Sequence, residues 1–415
     1  MKIFEKKCFL NAEHRENKYM DKQEKYPLIS IITAVYNNER YIRNVAESVL
    51  NQDFKDIEYI IVDDGSTDKT PQIIDEIASK DARVKVIHQK NQWIFASYNN
   101  GVKAASGKYF YIINSDDLFQ KNILIKVAEY AKQYNPDVIW TPILVHKCDE
   151  NQNIIDYDYE NLKNRVKENK FYSTKEEVRN AWIEFDKMSL SANQANLYKR
   201  ELALNHPFRN DIYGADNLFN IQIADDIESA YVMSEPVYDF MNYQSEDMNV
   251  SVGKFYGYEH SMFNMFYIDN IRLYKKWNIL TKDIQAYLAR RRIRQLTNEM
   301  KKMNFKTCIM SLEKKLEKVT ADVSDEVIKE CVEVLNAQEE FECRVLSGIK
   351  NILINEKPDE SNKYYFLYEL LDSLLRYEKN EEDYQKIENA IYHPLNRAKI
   401  GLTLYKKISD RKYLF

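Results

Sequence analysis

Residues 109–118 read Tyr-Phe-Tyr-Ile-Ile-Asn-Ser-Asp-Asp-Leu, an apolar run followed at once by polar and acidic side chains. The apolar run 109–113 predicts a strand that is buried on both faces, as in a covered parallel sheet. Ligands of open parallel α/β sheets bind beyond the carboxyl ends of the strands. The stretch therefore predicts a ligand site at Asp116 and Asp117.

The side chains of Asp116 and Asp117 offer hard oxygen donors, which suit Mg²⁺ or Mn²⁺ carrying a diphosphate. The alternative is an ordinary turn in which Ser115 or Asp116 caps a following helix, predicted over residues 121–134. On this stretch alone, both interpretations stay open.

The composition describes an ordinary soluble globular protein of about two domains, with 415 residues, 44% of them hydrophobic and 30% charged. A net charge of −5 gives no general footprint for nucleic acid, so we expect no nucleic-acid partner. The five cysteines are scattered and include no Cys-x-x-Cys pair, which argues against a disulfide framework and a zinc site. Without a signal-like or membrane-spanning apolar stretch, the sequence predicts a cytoplasmic protein.

Strand-like and helix-like segments alternate along the first part of the chain. Strands are predicted at 28–36, 57–62, 84–88 and 109–113, those at 57–62 and 109–113 buried, with helices between them. This order predicts a mostly parallel, Rossmann-like α/β sheet with flanking helices. We divide the chain into an N-terminal arm (1–26), an α/β domain (27–250) and an α-helical C-terminal domain (251–415).

Acidic residues follow several of these strands. Asp63 and Asp64 end the second strand, Asp116 and Asp117 end the fourth, and Asp216 opens a later helix. Taken singly, these residues fit turns and helix caps equally well. Because the carboxyl ends of parallel strands share one edge of the sheet, we expect the clusters to lie together.

The blocks that contain these residues resemble the signature blocks of family-2 glycosyltransferases in order and spacing. The blocks are Ile-Ser-Ile-Ile-Thr-Ala-Val-Tyr-Asn (29–37), Ile-Val-Asp-Asp-Gly-Ser-Thr-Asp (61–68), Ala-Ser-Gly-Lys-Tyr (105–109), Asn-Ser-Asp-Asp (114–117) and Gly-Ala-Asp (214–216). The resemblance covers roughly residues 27–250. It implies a GT-A fold and inverting transfer of a sugar from a nucleotide-diphosphate sugar.

The resemblance also implies a nucleotide pocket. Asp64 resembles the aspartate that hydrogen-bonds the base, and Ala34 and Tyr36 line the same pocket. Asn91, in the loop after the third strand, is assigned to this pocket as well. Asn114 occupies the first place of the family's Asp-x-Asp element, which usually meets the ribose.

For the chemistry, the resemblance implies one metal and one base. Asp116 occupies the metal-holding last place of the Asp-x-Asp element, and a shifted frame gives that role to Asp117. Asp216 matches the general base. A sugar hydroxyl becomes a good nucleophile when a carboxylate within hydrogen-bond reach accepts its proton. The departing diphosphate gains negative charge, which a divalent cation stabilises.

Several residues depart from the family pattern and leave the donor identity open. They are Ala34 for a common proline, Gln92-Trp93 for two glycines, Tyr98 for a frequent arginine, Asn114 for an aspartate, Ala215 for a glutamate, and Tyr243-Gln244-Ser245 where a histidine or arginine often grips the diphosphate.

The helical remainder carries two further features. A basic cluster surrounds apolar positions and is typical of either a membrane-surface helix or a solvated face. A leucine-rich segment predicts helical core or an oligomer seam. The basic cluster is Arg290, Arg291, Arg292, Arg294, Lys301 and Lys302, and the leucines are Leu367, Leu370, Leu371 and Leu374.

The sequence thus predicts an inverting hexosyl- or N-acetylhexosaminyl-transferase of polysaccharide biosynthesis that uses Mg²⁺ or Mn²⁺ and, by preference, a UDP-sugar. Its acceptor is a hydroxyl of a surface glycan or of a lipid-linked precursor. We place it in the cytoplasm, with peripheral association at the inner membrane face and homo-oligomerisation through the C-terminal helices as candidates. One rival is a nucleotidyltransferase, although residues 35–40 lack the glycine-rich loop of that class. The other rival is a non-catalytic binding module on the same fold.

Overall fold

The computed structural model describes residues 26–157, 166–188, 195–243, 254–362 and 364–365. The expected arm over 1–26 lies outside these ranges except for Tyr26, and so do Gln244, Ser245 and the leucine-rich segment.

The core of the α/β region is an eight-stranded sheet in the order β3-β2-β1-β4-β10-β6-β11-β9. The strands β1, β2 and β3 pair in parallel, and β1 also pairs in parallel with β4. All residues of β1, β2 and β4 are buried, which explains why their sequences are mostly apolar on both faces. Within the described ranges the strands are β1 (Ile29–Val35), β2 (Ile57–Asp63), β3 (Val84–His88), β4 (Tyr109–Ile112), β5 (Leu118–Phe119), β6 (Val138–Trp140), β7 (Ile143–Cys148), β8 (Ile154–Tyr157), β9 (Lys170–Tyr172), β10 (Leu197–Lys199), β11 (Ala230–Val232) and β12 (Tyr238–Tyr243).

Helices cover both faces of this sheet, which gives the GT-A type α/β fold that the sequence predicts. Gly101 lies where a Cβ atom would come 2.4 Å from Ile32 Cγ2, so its helix packs tightly on β1. The helices of this region are α1 (Ile42–Leu50), α2 (Thr70–Lys80), α3 (Ile94–Ala104), α4 (Leu124–Tyr134), α5 (Lys175–Lys187), α6 (Arg200–Asn205) and α7 (Ala215–Ile223).

A second, four-stranded sheet in the order β5-β12-β7-β8 lies beside the acidic end of β4. This second sheet was not predicted from the sequence. It is built from short strands with mixed polar and apolar residues, and the β7–β8 hairpin includes polar residues near 149–157. Such a pattern carries little periodicity. These strands form because segments that are distant in the sequence pair with one another.

The C-terminal helices pack directly on the α/β region and share one hydrophobic core with it. Asp186 of α5 pairs with Arg291, and Asp225 accepts a hydrogen bond from the indole of Trp277 at 2.8 Å. The boundary near residue 250 stays a prediction. The helices are α8 (Glu259–Lys276), α9 (Lys282–Lys302), α10 (Leu312–Val323), α11 (Glu326–Leu335) and α12 (Gln338–Glu356).

The basic cluster on α9 is only partly a surface feature. Arg292 is 1% exposed, and Arg291 donates to both carboxylate oxygens of Asp186. Arg290 and Arg294 remain exposed. Among the described residues, no helix has both the length and the apolar character needed to cross a bilayer.

Candidate active site

The loops after β1, β2 and β4 are hydrogen-bonded to one another at the carboxyl edge of the large sheet. The Asn38 side chain donates to the carbonyl and the hydroxyl of Ser115, at 2.8 and 2.9 Å. The Asn37 side chain accepts from the backbone N–H of Thr67 at 2.7 Å. These contacts join the three loops that carry Tyr36, Asp64 and Asp116, as the parallel register predicts.

Asp64 is held by the loop that follows β3. One carboxylate oxygen accepts from the Gln92 N–H at 2.8 Å and from the Gln89 side chain at 2.7 Å. The other oxygen accepts from the Trp93 N–H at 2.9 Å, and the residue is only 4% exposed. A nucleobase at Asp64 would therefore share or replace one of these contacts.

Trp93 has an unusual backbone conformation, with φ 78° and ψ 160°. This region suits glycine almost alone and costs another residue about 1–3 kcal/mol. The strain accounts for a glycine at the position of Trp93 in the family pattern. Here the hydrogen bonds from the Gln92 and Trp93 N–H groups to Asp64 offset this strain. The departure from the family pattern is therefore part of the loop that holds Asp64.

The other residues assigned to the nucleotide pocket lie around the same edge. Ala34 is 8% exposed near the end of β1, whereas Tyr36 is 52% exposed. Asn91 is exposed, and its backbone nitrogen would lie 2.9 Å from a Cβ atom added to Gly65. Ala34, Tyr36, Asp64 and Asn91 therefore border one region, and their contact with a nucleotide stays a prediction.

Gly65 gives a first test of this packing. Its φ of +79° and the nearby Asn91 backbone both disfavour a side chain, whereas Gly257, at φ +84°, has only the Phe255 ring at 3.8 Å. We expect Gly257→Ala to lower the free energy of unfolding by about 1–2 kcal/mol through backbone strain alone. Gly65→Ala should lower it by at least about 1 kcal/mol more, because the clash adds to the strain. Chemical denaturation measures both values, and equal losses would contradict the close packing at Gly65.

Asp117 is a buried anchor for the acidic loop. One of its oxygens accepts from the Tyr238 hydroxyl at 2.7 Å and from the Asn114 side chain at 2.9 Å. The other accepts from the backbone N–H of Met241 at 2.7 Å, and the residue is 1% exposed. Burial raises the pKa of the Asp117 carboxyl, and the neighbouring Asp116 raises it further. The donors Tyr238 and Met241 tie the loop to β12 of the small sheet, and Asn114 adds a contact within the loop.

Asn114 is also engaged by the protein itself. The Tyr98 hydroxyl donates to its side-chain oxygen at 3.0 Å, and its backbone N–H donates to the Tyr238 hydroxyl at 3.1 Å. Its side-chain amide donates to Asp117. The side chains of Tyr98, Asn114, Asp117 and Tyr238 thus form one hydrogen-bonded chain. A ribose contact by Asn114, as the resemblance implies, would have to be made in addition to this network.

Asp116 differs from Asp117 in one decisive respect. Apart from the backbone N–H of Asp116 itself, no described residue donates a hydrogen bond to its carboxylate, although its backbone oxygen accepts from Gln152 at 3.1 Å and from Tyr243 at 3.0 Å. Burial raises the pKa of the Asp116 carboxyl. The backbone is thus fixed while the side chain is available, which is the state expected of a cation ligand before the cation binds.

Asp216 lies in the first turn of α7. Its Oδ1 atom accepts from the backbone N–H of Asn217 at 2.8 Å, and no described residue donates to its other oxygen. Burial raises the pKa of the Asp216 carboxyl, and the Asn217 N–H opposes that change only in part. A carboxylate with a free oxygen and a raised pKa suits a general base.

Tyr98 connects these groups. Its side chain is 1% exposed, and burial raises its pKa, with further increases from Asp116, Asp117 and Asp216. The structure therefore brings the three predicted carboxylates into electrostatic reach of one buried phenol. The sequence signal for Tyr98 was its position, at which the family often has arginine.

Another group of potential metal ligands lies in the helical region and consists of His260, Glu299 and Asp322. Two positively charged side chains, Arg292 and Lys318, already lie beside these residues. Arg292 donates to Nδ1 of His260 at 2.9 Å, and Nζ of Lys318 lies 3.2 Å from Glu299 and 2.8 Å from Asp322. This charge compensation fits a buried structural network better than a divalent cation.

Comparison with known proteins agrees with this geometry. Residues 30–199 match the model of glycosyl transferase family 2. The chain is 38% identical over 113 residues to the uncharacterized glycosyltransferase EpsJ of Bacillus subtilis, an alignment that covers 27% of this chain and 33% of that protein. It is 36% identical over 113 residues to the glycosyltransferase GlyG of Streptococcus pneumoniae, with 27% and 38% covered. The matched stretch thus spans well under half of these relatives.

The fold is similar to that of S. aureus TarS residues 1–349, solved in complex with UDP-GlcNAc. The TM-score is 0.55 at 18% identity, and the alignment covers 79% of this chain and 90% of the TarS chain. At that identity the likeness concerns the fold alone. Residues 30–199 are thus similar in sequence to glycosyl transferase family 2, and the fold likeness extends over a larger part of the chain.

Proposed function

We propose that this chain is an inverting glycosyltransferase that moves a hexosyl or N-acetylhexosaminyl group from a nucleotide-diphosphate sugar to a hydroxyl of a glycan or of a lipid-linked glycan precursor. A UDP-sugar is the favoured donor, and Mg²⁺ or Mn²⁺ is the proposed cofactor. The crystal structures of TarS with UDP-GlcNAc and with UDP support this choice of donor.

The observation that carries the proposal is the difference between neighbouring carboxylates at one sheet edge. Asp117 is saturated by three donors, whereas Asp116 and Asp216 each keep a carboxylate oxygen free of described hydrogen-bond donors. Asp116 and Asp216 are only half-buried, unlike Asp117, so an oxygen without a protein donor at either residue is open to a ligand from outside the protein. A cation at Asp116 and an acceptor hydroxyl at Asp216 are such ligands.

In this proposal each side chain has a separate task. A divalent cation held by Asp116 supplies electrostatic stabilisation for the departing diphosphate. Asp117, through Tyr238 and the Met241 N–H, keeps the Asp116 loop in place. Asp216 accepts the proton of the acceptor hydroxyl as that oxygen attacks the sugar. Attack from the face opposite the leaving diphosphate inverts the configuration at the sugar carbon.

The proposed setting is the cytoplasm, at or near the inner face of the membrane. Cys148, Cys308 and Cys331 are buried free thiols, which suits a reducing compartment. Arg290 and Arg294 are the exposed members of the arginine run on α9 and are the candidates for contact with anionic lipid. Association of copies through the C-terminal helices is part of the same proposal.

The direct test is donor binding with and without metal. Isothermal titration should show UDP binding in Mn²⁺ or Mg²⁺, and EDTA should weaken it by at least about tenfold, roughly 1.4 kcal/mol. Release of UDP from UDP-sugars, followed without acceptor, then reports catalytic competence. Binding of none of the common nucleoside diphosphates would contradict the proposal.

A non-catalytic binding module remains the second candidate, favoured by the engagement of both Asp64 oxygens with the loop 89–93. The same experiment separates the two functions. Metal-dependent UDP binding with neither hydrolysis nor transfer, for any UDP-sugar tested, would favour the binding module.

A further inference from the structure

Three tyrosines meet where the loop before α7 touches the start of the helical region. The Tyr213 and Tyr256 rings are stacked, with centroids 4.6 Å apart and an interplanar angle of 15°. Tyr258 completes the cluster, its ring centroid 5.6 Å from that of Tyr256 and 6.1 Å from that of Tyr213. All three side chains are half-buried, so the cluster borders solvent. We call these residues the tyrosine cluster.

The backbone fixes this arrangement. Gly257 adopts φ +84°, which lets the two tyrosines on either side of it both reach Tyr213. The Tyr258 hydroxyl accepts the Tyr213 N–H at 3.1 Å, and Glu259 accepts the Tyr256 N–H at 2.9 Å. The cluster is therefore a positioned surface rather than a set of loose side chains.

The cluster is coupled to the candidate base. Tyr213 precedes Asp216 by three residues, so their backbones are at most about 10 Å apart. Between them, Gly214 lies so close to α8 that an added Cβ atom would come 3.0 Å from Met262 Sδ and 3.1 Å from Phe266. This contact holds the base loop against the helix that begins beside Tyr256 and Tyr258.

Within the cluster, Tyr256 is the ring best placed to contact a ligand. Tyr213 stacks on Tyr256, and the ammonium group of Lys302 lies 5.1 Å from the Tyr213 ring centroid. Tyr213 thus contacts Tyr256, Tyr258 and Lys302 and serves as support. A half-exposed aromatic ring with a polar tip is suited to a ligand that is apolar on one face and polar at its edges. A pyranose ring is such a ligand.

We propose that Tyr256, supported by Tyr213 and Tyr258, forms a platform on which a pyranose ring of the acceptor glycan stacks while its hydroxyl reaches Asp216. This inference rests on the proposed function and adds the acceptor class, a pyranose-containing saccharide. It also gives the start of the helical region a role in acceptor binding.

The test uses the full chain and a panel of pyranose di- and trisaccharides as probes. Their dissociation constants are measured by ligand-observed NMR for the wild type, Tyr256→Ala and Tyr256→Phe. Tyr256→Ala should weaken saccharide binding about fivefold, the scale of one aromatic contact, and Tyr256→Phe should restore it to within about twofold. Tyr130→Ala is the matched control, because Tyr130 is also half-buried and stacked, on Tyr231, with centroids 4.4 Å apart.

UDP binding and acceptor-free UDP release are measured on the same variants and should stay within about twofold of wild type, because the proposal assigns the platform to the acceptor alone. Absence of saccharide binding by the wild type, or equal affinities of wild type and Tyr256→Ala, would overturn the platform. If the wild type does not bind UDP, the proposed function itself is overturned. The two failures are therefore distinguishable.

Discussion

Asp216→Asn should lower sugar transfer by about 10²-fold or more, the usual scale of a general base. Donor affinity should stay within a few-fold of wild type, because the base is needed for the chemical step and not for the ground-state complex. The substitution keeps the size of the side chain and can keep the contact with the Asn217 N–H, but the amide cannot accept the proton. Initial rates and UDP titrations on the same preparation measure both effects.

The pH dependence gives a second readout of the same residue. Burial raises the pKa of the Asp216 carboxyl, and only the ionised form can act as a base. Transfer by the wild type should therefore increase as the pH rises through this raised pKa, above the ordinary value for aspartate of about 3.9. The residual activity of Asp216→Asn should lack this acidic limb.

Asp211 provides the matched control. It lies in the same loop, but its carboxylate is paired with Arg209, and that hydrogen bond lowers its pKa against the opposing effect of burial. Asp211→Asn should leave the rate within about twofold of wild type, as expected of a surface substitution. If Asp216→Asn and Asp211→Asn are equally active, Asp216 is a helix-terminal residue and the base lies elsewhere.

The parallel part of the sheet was predictable because its strands carry a strong local signal. The mostly apolar sequences of β1, β2 and β4 favour burial on both faces, and the structure pairs them as adjacent parallel strands. The sequence also placed Asp64, Asp116 and Asp216 next to strand ends or at a helix start. Parallel pairing then brings the strand ends to one edge, so local pattern was enough for the outline of the site.

The small sheet and the partners of the carboxylates were not predictable in this way. The bond between Met241 and Asp117 joins residues 124 positions apart, and that between Tyr238 and Asp117 spans 121. No local periodicity reports such contacts, because they form only when β12 pairs beside the acidic loop. The burial of Arg292 within the basic cluster was not predictable for a related reason, since it depends on α8, whose Asn264 accepts its hydrogen bond.

The structure adds most to the question of which aspartate, Asp116 or Asp117, is the metal ligand. The sequence left Asp116 and Asp117 as alternative metal ligands. Three donors engage Asp117, whereas no described residue other than Asp116 itself, through its backbone N–H, donates to the Asp116 carboxylate. This asymmetry supports Asp116 as the ligand and Asp117 as the anchor of the loop, and two isosteric variants should separate these roles.

Asp116→Asn should weaken Mn²⁺-dependent UDP binding by at least about tenfold, roughly 1.4 kcal/mol, because it removes the available anionic ligand. In the absence of metal, its free energy of unfolding should equal or exceed that of the wild type. The reason is that the substitution removes a buried charge beside Asp117, and burial disfavours both ionised carboxyls.

Asp117→Asn should show the opposite pattern. Its new amide group would face hydrogen-bond donors, Met241 N–H on one side or Tyr238 and Asn114 on the other, and at least one donor would lose its acceptor. An unsatisfied buried donor costs about 1–3 kcal/mol, so the free energy of unfolding should fall by that amount without metal. Mn²⁺ titration and chemical denaturation of both variants test the assignment. If Asp117→Asn weakens the metal more than Asp116→Asn and leaves stability unchanged, the shifted frame is correct and Asp117 is the ligand.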